Sequence, residues 1–153
     1  NTISPATPHF VSFASRNVRG CDPVVVQNNF MFSTVRTGTV CNQFGQSALF
    51  IHDVTDKTAP RLEFNLTLDQ PKGLGIDGNL LFICQGNKGM AVYNWDESIK
   101  KLSYLYQKID LYAFDVITGN NTLIVAADNG LYLYDYTDPN NIKRLSKVAS
   151  YDF

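Results

Sequence analysis

The stretch LYLYDYTD at residues 131–138 has two counterparts earlier in the chain, LFIHDVTD at 49–56 and MAVYNWDE at 90–97. Each is a run of strand-forming residues followed by an acidic turn. The Asp or Asn that ends each run recurs at intervals of 41 residues, at Asp53, Asn94 and Asp135. Repetition at a period of about 40 residues is typical of stacked repeat architectures. We therefore expect three copies of one structural unit.

The residues around each stretch repeat as well. Two short apolar segments precede each stretch, and they are joined by turns rich in Asn and Gly at 27–29, 77–79 and 119–121. Asn and Gly tolerate the positive φ that tight hairpins require. A further apolar segment follows each stretch, at 62–66, 102–106 and 145–148. The sequence thus predicts four antiparallel strands in every unit.

A four-stranded unit of about 40 to 45 residues is typical of a β-propeller blade. A β-sandwich also has regularly spaced strands, but a sandwich gives no reason for a sequence repeat of fixed period. We predict an all-β chain, a β-propeller of three four-stranded antiparallel blades. The expected bounds are 21–69 for blade A, 70–110 for blade B and 111–153 for blade C.

Residues 1–20 are expected to hold a linker and one strand without partners in its own blade. The segment PHFVSF at 8–13 resembles PRLEF at 60–64, so it is predicted to be the outer strand of a preceding blade. Natural propellers usually have at least four blades, and three leave an apolar face at each end. We expect the remaining blades to come from the same polypeptide, as part of a larger propeller, or from other copies of the chain.

The composition is that of a globular domain without a strong charge bias. The chain of 153 residues is 44% hydrophobic and 18% charged, and its net charge is −1. This balance gives no attraction to nucleic acid or to an anionic membrane. No apolar run has the length of a membrane span or a signal peptide. We expect no nucleic-acid partner and no membrane span in this chain, and export would require a targeting segment that has been removed.

The three cysteines differ in their sequence surroundings. Cys84 ends an apolar run and is expected to be a small buried hydrophobic residue. Cys21 lies in the connection that enters an innermost strand, and Cys41 lies in the loop between the second and third strands of the same blade. Those two connections emerge at the same end of an antiparallel blade. We therefore predict a Cys21–Cys41 disulfide, which implies an oxidising compartment.

The period breaks in the loop that carries Cys41. From Asn29 to Asn79 the separation is 50 residues, whereas from Asn79 to Asn121 it is 42. The excess falls within Arg36–Ser47. Insertions in repeat proteins usually map to loops on one face, often the binding face. A cross-linked loop fits a preformed recognition surface and fits equally the stabilisation of an exposed segment.

Several of these segments resemble one family. The LFIHDVTD and LYLYDYTDP stretches, the CDPVVV entry at 21–26, the RTG loop at 36–38 with Cys41 and the GLGIDGN hairpin at 73–79 are similar to bacterial, notably Bacteroidetes-type, LVIVD-repeat proteins. The middle repeat departs at Asn94–Ser98, where the Asp and the Pro turn are replaced, and a weaker turn is expected there. The resemblance implies an extracytoplasmic propeller of the secreted or lipoprotein type, in the periplasm or at the cell surface. No reaction is established for the family, and its members are often longer than this chain. We expect no cofactor.

The sequence offers few residues for catalysis. The two histidines, His9 and His52, lie on separate predicted strands, so we expect no His-based metal site and no triad. His52 occupies the repeat position of Tyr93 and Tyr134 and is interpreted as a packing residue. The Asp or Asn at the end of each third strand is expected to cap the following turn through its side-chain oxygen.

A ligand would meet the face that carries Cys21 and Cys41. The candidate ligand-binding residues come from the connections into the innermost strands and from the loops between second and third strands: Asp22, Lys72, Tyr112, Asp115, Arg36, Gln85 and Asp128. Mixed charge with an aromatic ring suits a carbohydrate or a peptide. An ordinary loop surface has the same composition.

Two functions fit these observations. The first is a non-enzymatic binding or scaffold module that contacts a partner protein or glycan through this loop face. The second is a hydrolase or lyase that uses acids of the central funnel, Asp22 and Asp115, as paired carboxylates. A deep pocket with a metal ion or a close carboxyl pair would favour the enzyme, and a shallow surface would favour binding.

Overall fold

The computed structural model describes residues 10–11, 23–38, 45–108 and 110–149. Over these residues the chain consists of β-strands joined by turns and loops, without helices. Sheet A contains β1 (Val24–Gln27), β2 (Phe30–Val35), β3 (Ala48–Asp53) and β4 (Arg61–Thr67). Sheet B contains β5 (Leu74–Asp77), β6 (Leu80–Cys84), β7 (Met90–Asp96) and β8 (Lys101–Lys108). Sheet C contains β9 (Ala113–Gly119), β10 (Thr122–Ala127), β11 (Gly130–Asp135) and β12 (Lys143–Ala149).

Each sheet is an antiparallel meander in which the strands lie side by side in chain order. The predicted all-β class and the three four-stranded antiparallel sheets are therefore confirmed. The hairpin turns have the expected backbone, because Asn28, Gly78 and Asn120 have φ values of 54°, 59° and 50°. Of the predicted N-terminal strand at 8–13, only Phe10 and Val11 are described, and neither lies in a strand.

Sheet B lies between the other two sheets and buries both of its faces. Alternation along its strands sends successive side chains to opposite sides. One face packs against sheet A, with Leu81, Ile83, Tyr93 and Trp95 meeting Phe30, Phe32, Leu49 and Ile51. The other face packs against sheet C, with Phe82, Cys84, Met90 and Val92 meeting Leu123, Val125, Tyr132 and Tyr134. The burial expected for Cys84 is confirmed, and burial raises the pKa of its thiol.

Trp95 anchors the contact between sheets A and B. Its ring lies edge-on to those of Phe30, Phe32 and Phe64, at centroid distances of 5.4, 6.1 and 6.1 Å. Edge-to-face packing of this kind stabilises aromatic clusters beyond the area that they bury. His52, on the other face of sheet A, is buried as expected of a packing residue, and burial lowers its pKa.

The innermost strands of the three sheets, β1, β5 and β9, are neighbours, with β5 in the middle. Hydrogen bonds join these strands, but the strands do not form one continuous sheet. The Gly73 N–H donates to the Phe114 carbonyl at 2.9 Å, and the Thr118 hydroxyl donates to the Ile76 carbonyl, also at 2.9 Å. The sheets therefore meet at their first strands.

The turns after the third strands are capped as predicted in sheets A and C but not in sheet B. Asp53 Oδ1 accepts the Thr55 N–H and Asp135 Oδ1 accepts the Thr137 N–H, each at 2.8 Å. The expectation for Asn94 is wrong, because its side-chain oxygen accepts a bond from the Asn79 amide. In sheet B the cap is Asp96, two residues later, which accepts the Ser98 hydroxyl at 2.6 Å and the Ser98 N–H at 3.0 Å. The turn in the middle repeat is thus held by a different acid.

Candidate ligand-binding site

The candidate site lies at one end of the sheets, where chain connections from neighbouring sheets meet. In an antiparallel meander the loop between the second and third strands emerges at the same end as the connection into the first strand. At this end Gly86, in the loop between β6 and β7, exchanges two backbone hydrogen bonds of 3.1 Å with Ala113 at the start of β9. This bridge fixes the connection into sheet C against a loop of sheet B.

A lysine and two aromatic rings come together beside this bridge. Lys72 Nζ lies 5.5 Å from the ring centroid of Tyr112 and 5.1 Å from that of Phe114. The two rings are themselves 5.1 Å apart. An ammonium over aromatic faces is attracted by the ring quadrupoles. We call Lys72, Tyr112 and Phe114 the lysine–aromatic cluster.

The cluster combines ordered packing with exposed ring surface. Tyr112 is 37% exposed and Phe114 is 42% exposed. Lys72 is partly buried. Its pKa is lowered mainly by this burial and, to a lesser extent, by the nearby positive charge of Arg36. The backbone carbonyl of Lys72 also accepts the Thr34 hydroxyl at 2.6 Å, so sheet A holds the connection in place. The rings of Tyr112 and Phe114 are therefore accessible to a ligand beside the Lys72 amine.

Gly86 has no side chain, and this leaves room for Lys72 and Tyr112 of the cluster. A Cβ at this position would lie 3.0 Å from Lys72 Cε and 3.2 Å from Tyr112 Cζ. The backbone of Gly86 also has a φ of +58°, which favours glycine over other residues. Close approach and backbone conformation both favour glycine here.

The other predicted site residues occupy different positions around the cluster. The Asp128 N–H donates to the Tyr112 carbonyl at 3.2 Å, which places the loop between β10 and β11 beside the cluster. Gln85 is buried, and its side-chain oxygen lies 3.5 Å from the Gln107 amide nitrogen. Asp115 Oδ1 accepts the N–H of Val116 at 2.9 Å. Asp22, Cys21 and Cys41 lie outside the described residues, as does the predicted disulfide.

Phe114 was missed by sequence reasoning because it falls inside a predicted strand. Its spacing from Tyr112 was the available signal, since residues two apart in an extended chain project to the same side. The loop from Arg36 to Ser47 is described only at its ends. There the Ser47 hydroxyl oxygen accepts the Thr37 N–H at 3.1 Å and lies 3.1 Å from the Thr37 hydroxyl, which joins the two ends.

The innermost strands line a separate, open concavity of about 370 Å³. Its described lining is mainly aliphatic and contains no Asp or Glu: Val25, Val26, Leu74, Gly75, Ile76, Val116, Ile117 and Thr118. Within the described parts of the chain, no three or more His, Cys, Asp or Glu side chains group as metal ligands. The same residues include no helix long and apolar enough to cross a membrane.

In comparisons with known proteins, no protein-family model and no curated protein matches the chain. The class that the fold defines is a stack of four-stranded antiparallel sheets that meet at their first strands.

Proposed function

We propose that this chain is part of an exported bacterial β-propeller of the LVIVD-repeat type, and that it acts as a non-enzymatic binding or scaffold module. Its ligand is a glycan or a partner protein held at the loop face. The lysine–aromatic cluster is the observation that carries this proposal. Meander sheets joined at their first strands, with a repeat period of 41 residues, support the propeller arrangement.

The cluster has the chemistry of a carbohydrate or peptide subsite. Exposed aromatic rings provide apolar faces for the C–H groups of a sugar or for a side chain, and aromatic residues are enriched at binding hot spots. The Lys72 ammonium, which lies over these rings, provides a hydrogen-bond donor beside their exposed surface. The packing of Lys72 against Tyr112 and Phe114 already holds the two rings and the donor together, so binding requires little rearrangement of these side chains.

The alternative function, a hydrolase or lyase with acids in a central funnel, has less support. The concavity between the innermost strands is mainly aliphatic in its described lining. Paired carboxylates need a short separation to share a proton or to activate water. Asp115 instead bonds to the backbone N–H of Val116 beside Gly73. These features favour binding over catalysis.

Export and attachment as a lipoprotein belong to the same proposal. They follow from the resemblance to LVIVD-repeat proteins and from the predicted Cys21–Cys41 disulfide. A thiol titration of the 153-residue chain, produced in an oxidising compartment and assayed under denaturing conditions, tests the disulfide: the proposal expects one free thiol per chain, from Cys84, before reduction and three after it. Three free thiols before reduction would contradict it.

Binding is tested with Tyr112→Ala on a glycan array and, in parallel, in peptide-library selections. We expect the wild-type chain to retain a subset of glycans or peptides and Tyr112→Ala to lose them. Tyr104→Ala is the matched control, because Tyr104 is an exposed tyrosine on β8 and lies outside the cluster. Retention that Tyr112→Ala leaves unchanged would contradict the proposed site, and turnover of a retained glycan would favour the enzyme.

A further inference from the structure

The outward face of sheet C carries a row of exposed apolar side chains. Cross-strand pairing places Ile117, Ile124 and Leu133 in one line, and Leu131 beside Val148 in the next. Ile117 is 65% exposed, Leu131 is 46% exposed and Ile124 is 38% exposed. Contiguous apolar surface of this kind marks an interaction site.

The equivalent positions in sheets A and B show what this side of a sheet packs against. Ile124 occupies the position of Phe32 in sheet A and of Phe82 in sheet B, counted from the hairpin Asn that precedes each. Both phenylalanines are fully buried, Phe32 against sheet B and Phe82 against sheet C. The same side of each sheet therefore receives the next sheet.

A second set of positions follows the same rule. Leu131 corresponds to Leu49 and Met90, which are also fully buried against the next sheet. Leu133 corresponds to Ile51 and Val92 in the same way. The interface that forms twice within the chain is thus presented a third time by sheet C, with its apolar side chains in place: Ile117, Ile124, Leu131 and Val148 are exposed and Leu133 is half-buried.

We infer that the outward face of sheet C is an interface between blades, and that its occupant is a fourth four-stranded blade of the same polypeptide. The inference rests on the propeller arrangement of the proposed function, but it goes beyond binding at the loop face and does not depend on that binding. It specifies the apolar positions that the added blade covers: Ile117, Ile124, Leu131, Leu133 and Val148.

A second copy of the chain fits this face less well. In a head-to-tail arrangement, sheet C would meet the free side of sheet A, where Ser33, Val35 and His52 are already buried within a single chain.

In a symmetric arrangement, two copies of sheet C would face each other. Four strands about 4.8 Å apart with six residues each have a footprint of roughly 400 Å². A face of this size is small for association between free chains, whose stable interfaces bury about 800 Å² of accessible surface per partner, whereas a tethered blade avoids most of the entropic cost of association.

The test extends the 153-residue chain by a copy of its own residues 72–108. The junction, 150–153 followed by copied residues 72 and 73, then has the length of the natural 68–73 connection. Hydroxyl-radical footprinting read by mass spectrometry reports side-chain accessibility. We expect labelling of Ile124 and Leu131 to be high in the original chain and to fall in the extended chain to the level of Leu49. Leu131→Lys in the extended chain should restore labelling of Ile124, whereas Ile99→Lys, an exposed turn position in the first copy of sheet B, should leave the protection unchanged.

Three results would overturn the inference. The first is a folded fourth blade that leaves Ile124 as accessible as before, and the second is an added segment that stays unfolded on a folded chain. The third is sedimentation of the original chain as a dimer that Leu131→Lys converts to monomer, since a second copy would then cover the face. None of these results alters the glycan and peptide test of Tyr112, so the two proposals fail separately.

Discussion

At the residue scale, turns are held by single carboxylate oxygens. Asp135 Oδ1 accepts two bonds from one residue, the Thr137 N–H at 2.8 Å and the Thr137 hydroxyl at 2.6 Å. Asp96 is paired with Ser98 in the same way. The shared requirement is an Asp followed two residues later by Thr or Ser, because one hydroxyl and one N–H then reach the same oxygen.

This rule explains why the cap of the middle repeat was placed wrongly from the sequence. The repeat register aligns Asn94 with Asp53 and Asp135, but the residue two positions after Asn94 is Asp96, which supplies no hydroxyl. Asp96 has Ser98 at the required distance, and β7 runs on to Asp96 before it turns. Local hydrogen-bond chemistry overrides the register at this point.

We predict that Asp135→Ala lowers the melting temperature by a few degrees at pH 7. The substitution leaves the Thr137 N–H and hydroxyl without their shared acceptor. Asp128→Ala removes an aspartate from a neighbouring turn of the same sheet and is the control. An unchanged melting temperature for Asp135→Ala would contradict its role as a cap.

The hydrogen bonds between Asp135 and Thr137 also make the stability of the folded state depend on pH. Hydrogen bonds from Thr137, first its hydroxyl and then its N–H, lower the pKa of Asp135 below its ordinary value of 3.8. A carboxyl group with a lower pKa in the folded state stabilises that state above the unfolded pKa, and the stabilisation is lost as pH falls through the folded value. The difference in melting temperature between wild type and Asp135→Ala should therefore be constant from pH 7 to pH 5 and shrink below pH 3.8. A difference that grew on acidification would contradict this.

At the scale of elements, the close approach of the innermost strands depends on glycine. A Cβ added at Gly73 would lie 1.9 Å from Asp115 Oδ1 and 2.6 Å from the Asp115 Cα. One at Gly75 would lie 2.7 Å from Thr118 Cγ2. Any side chain at Gly73 must push β9 away from the connection that enters β5.

We predict that Gly73→Ala lowers the free energy of unfolding by roughly 1–3 kcal/mol, the range for overpacked sites. Gly119→Ala is the matched control, because a Cβ at Gly119 has no neighbour within 4 Å. Urea denaturation of both variants measures the difference. Equal stability of Gly73→Ala and wild type would show that β5 and β9 are not in contact as described.

At the scale of the whole molecule, the sequence allowed the strands to be predicted because alternation and turn residues are local signals. Phe30–Val35 and Leu80–Cys84, for example, follow their Asn-containing turns as expected. The lysine–aromatic cluster was predicted only in part. Lys72 and Tyr112 are far apart in the chain and meet because Gly86 bridges to Ala113, a contact that no local pattern encodes.

Three equivalent sheets stack in one direction, and by the inference above sheet C presents the next interface. Leu49 and Leu131 are the same residue type at equivalent repeat positions, and Leu49 is fully buried whereas Leu131 is exposed. The decisive measurement is the free energy of unfolding of Leu49→Ala and Leu131→Ala in the 153-residue chain, by urea denaturation. We expect Leu49→Ala to cost about 2–5 kcal/mol, as for a buried leucine, and Leu131→Ala to cost less than about 1 kcal/mol, as for a surface site. Equal losses at the two positions would contradict the claim.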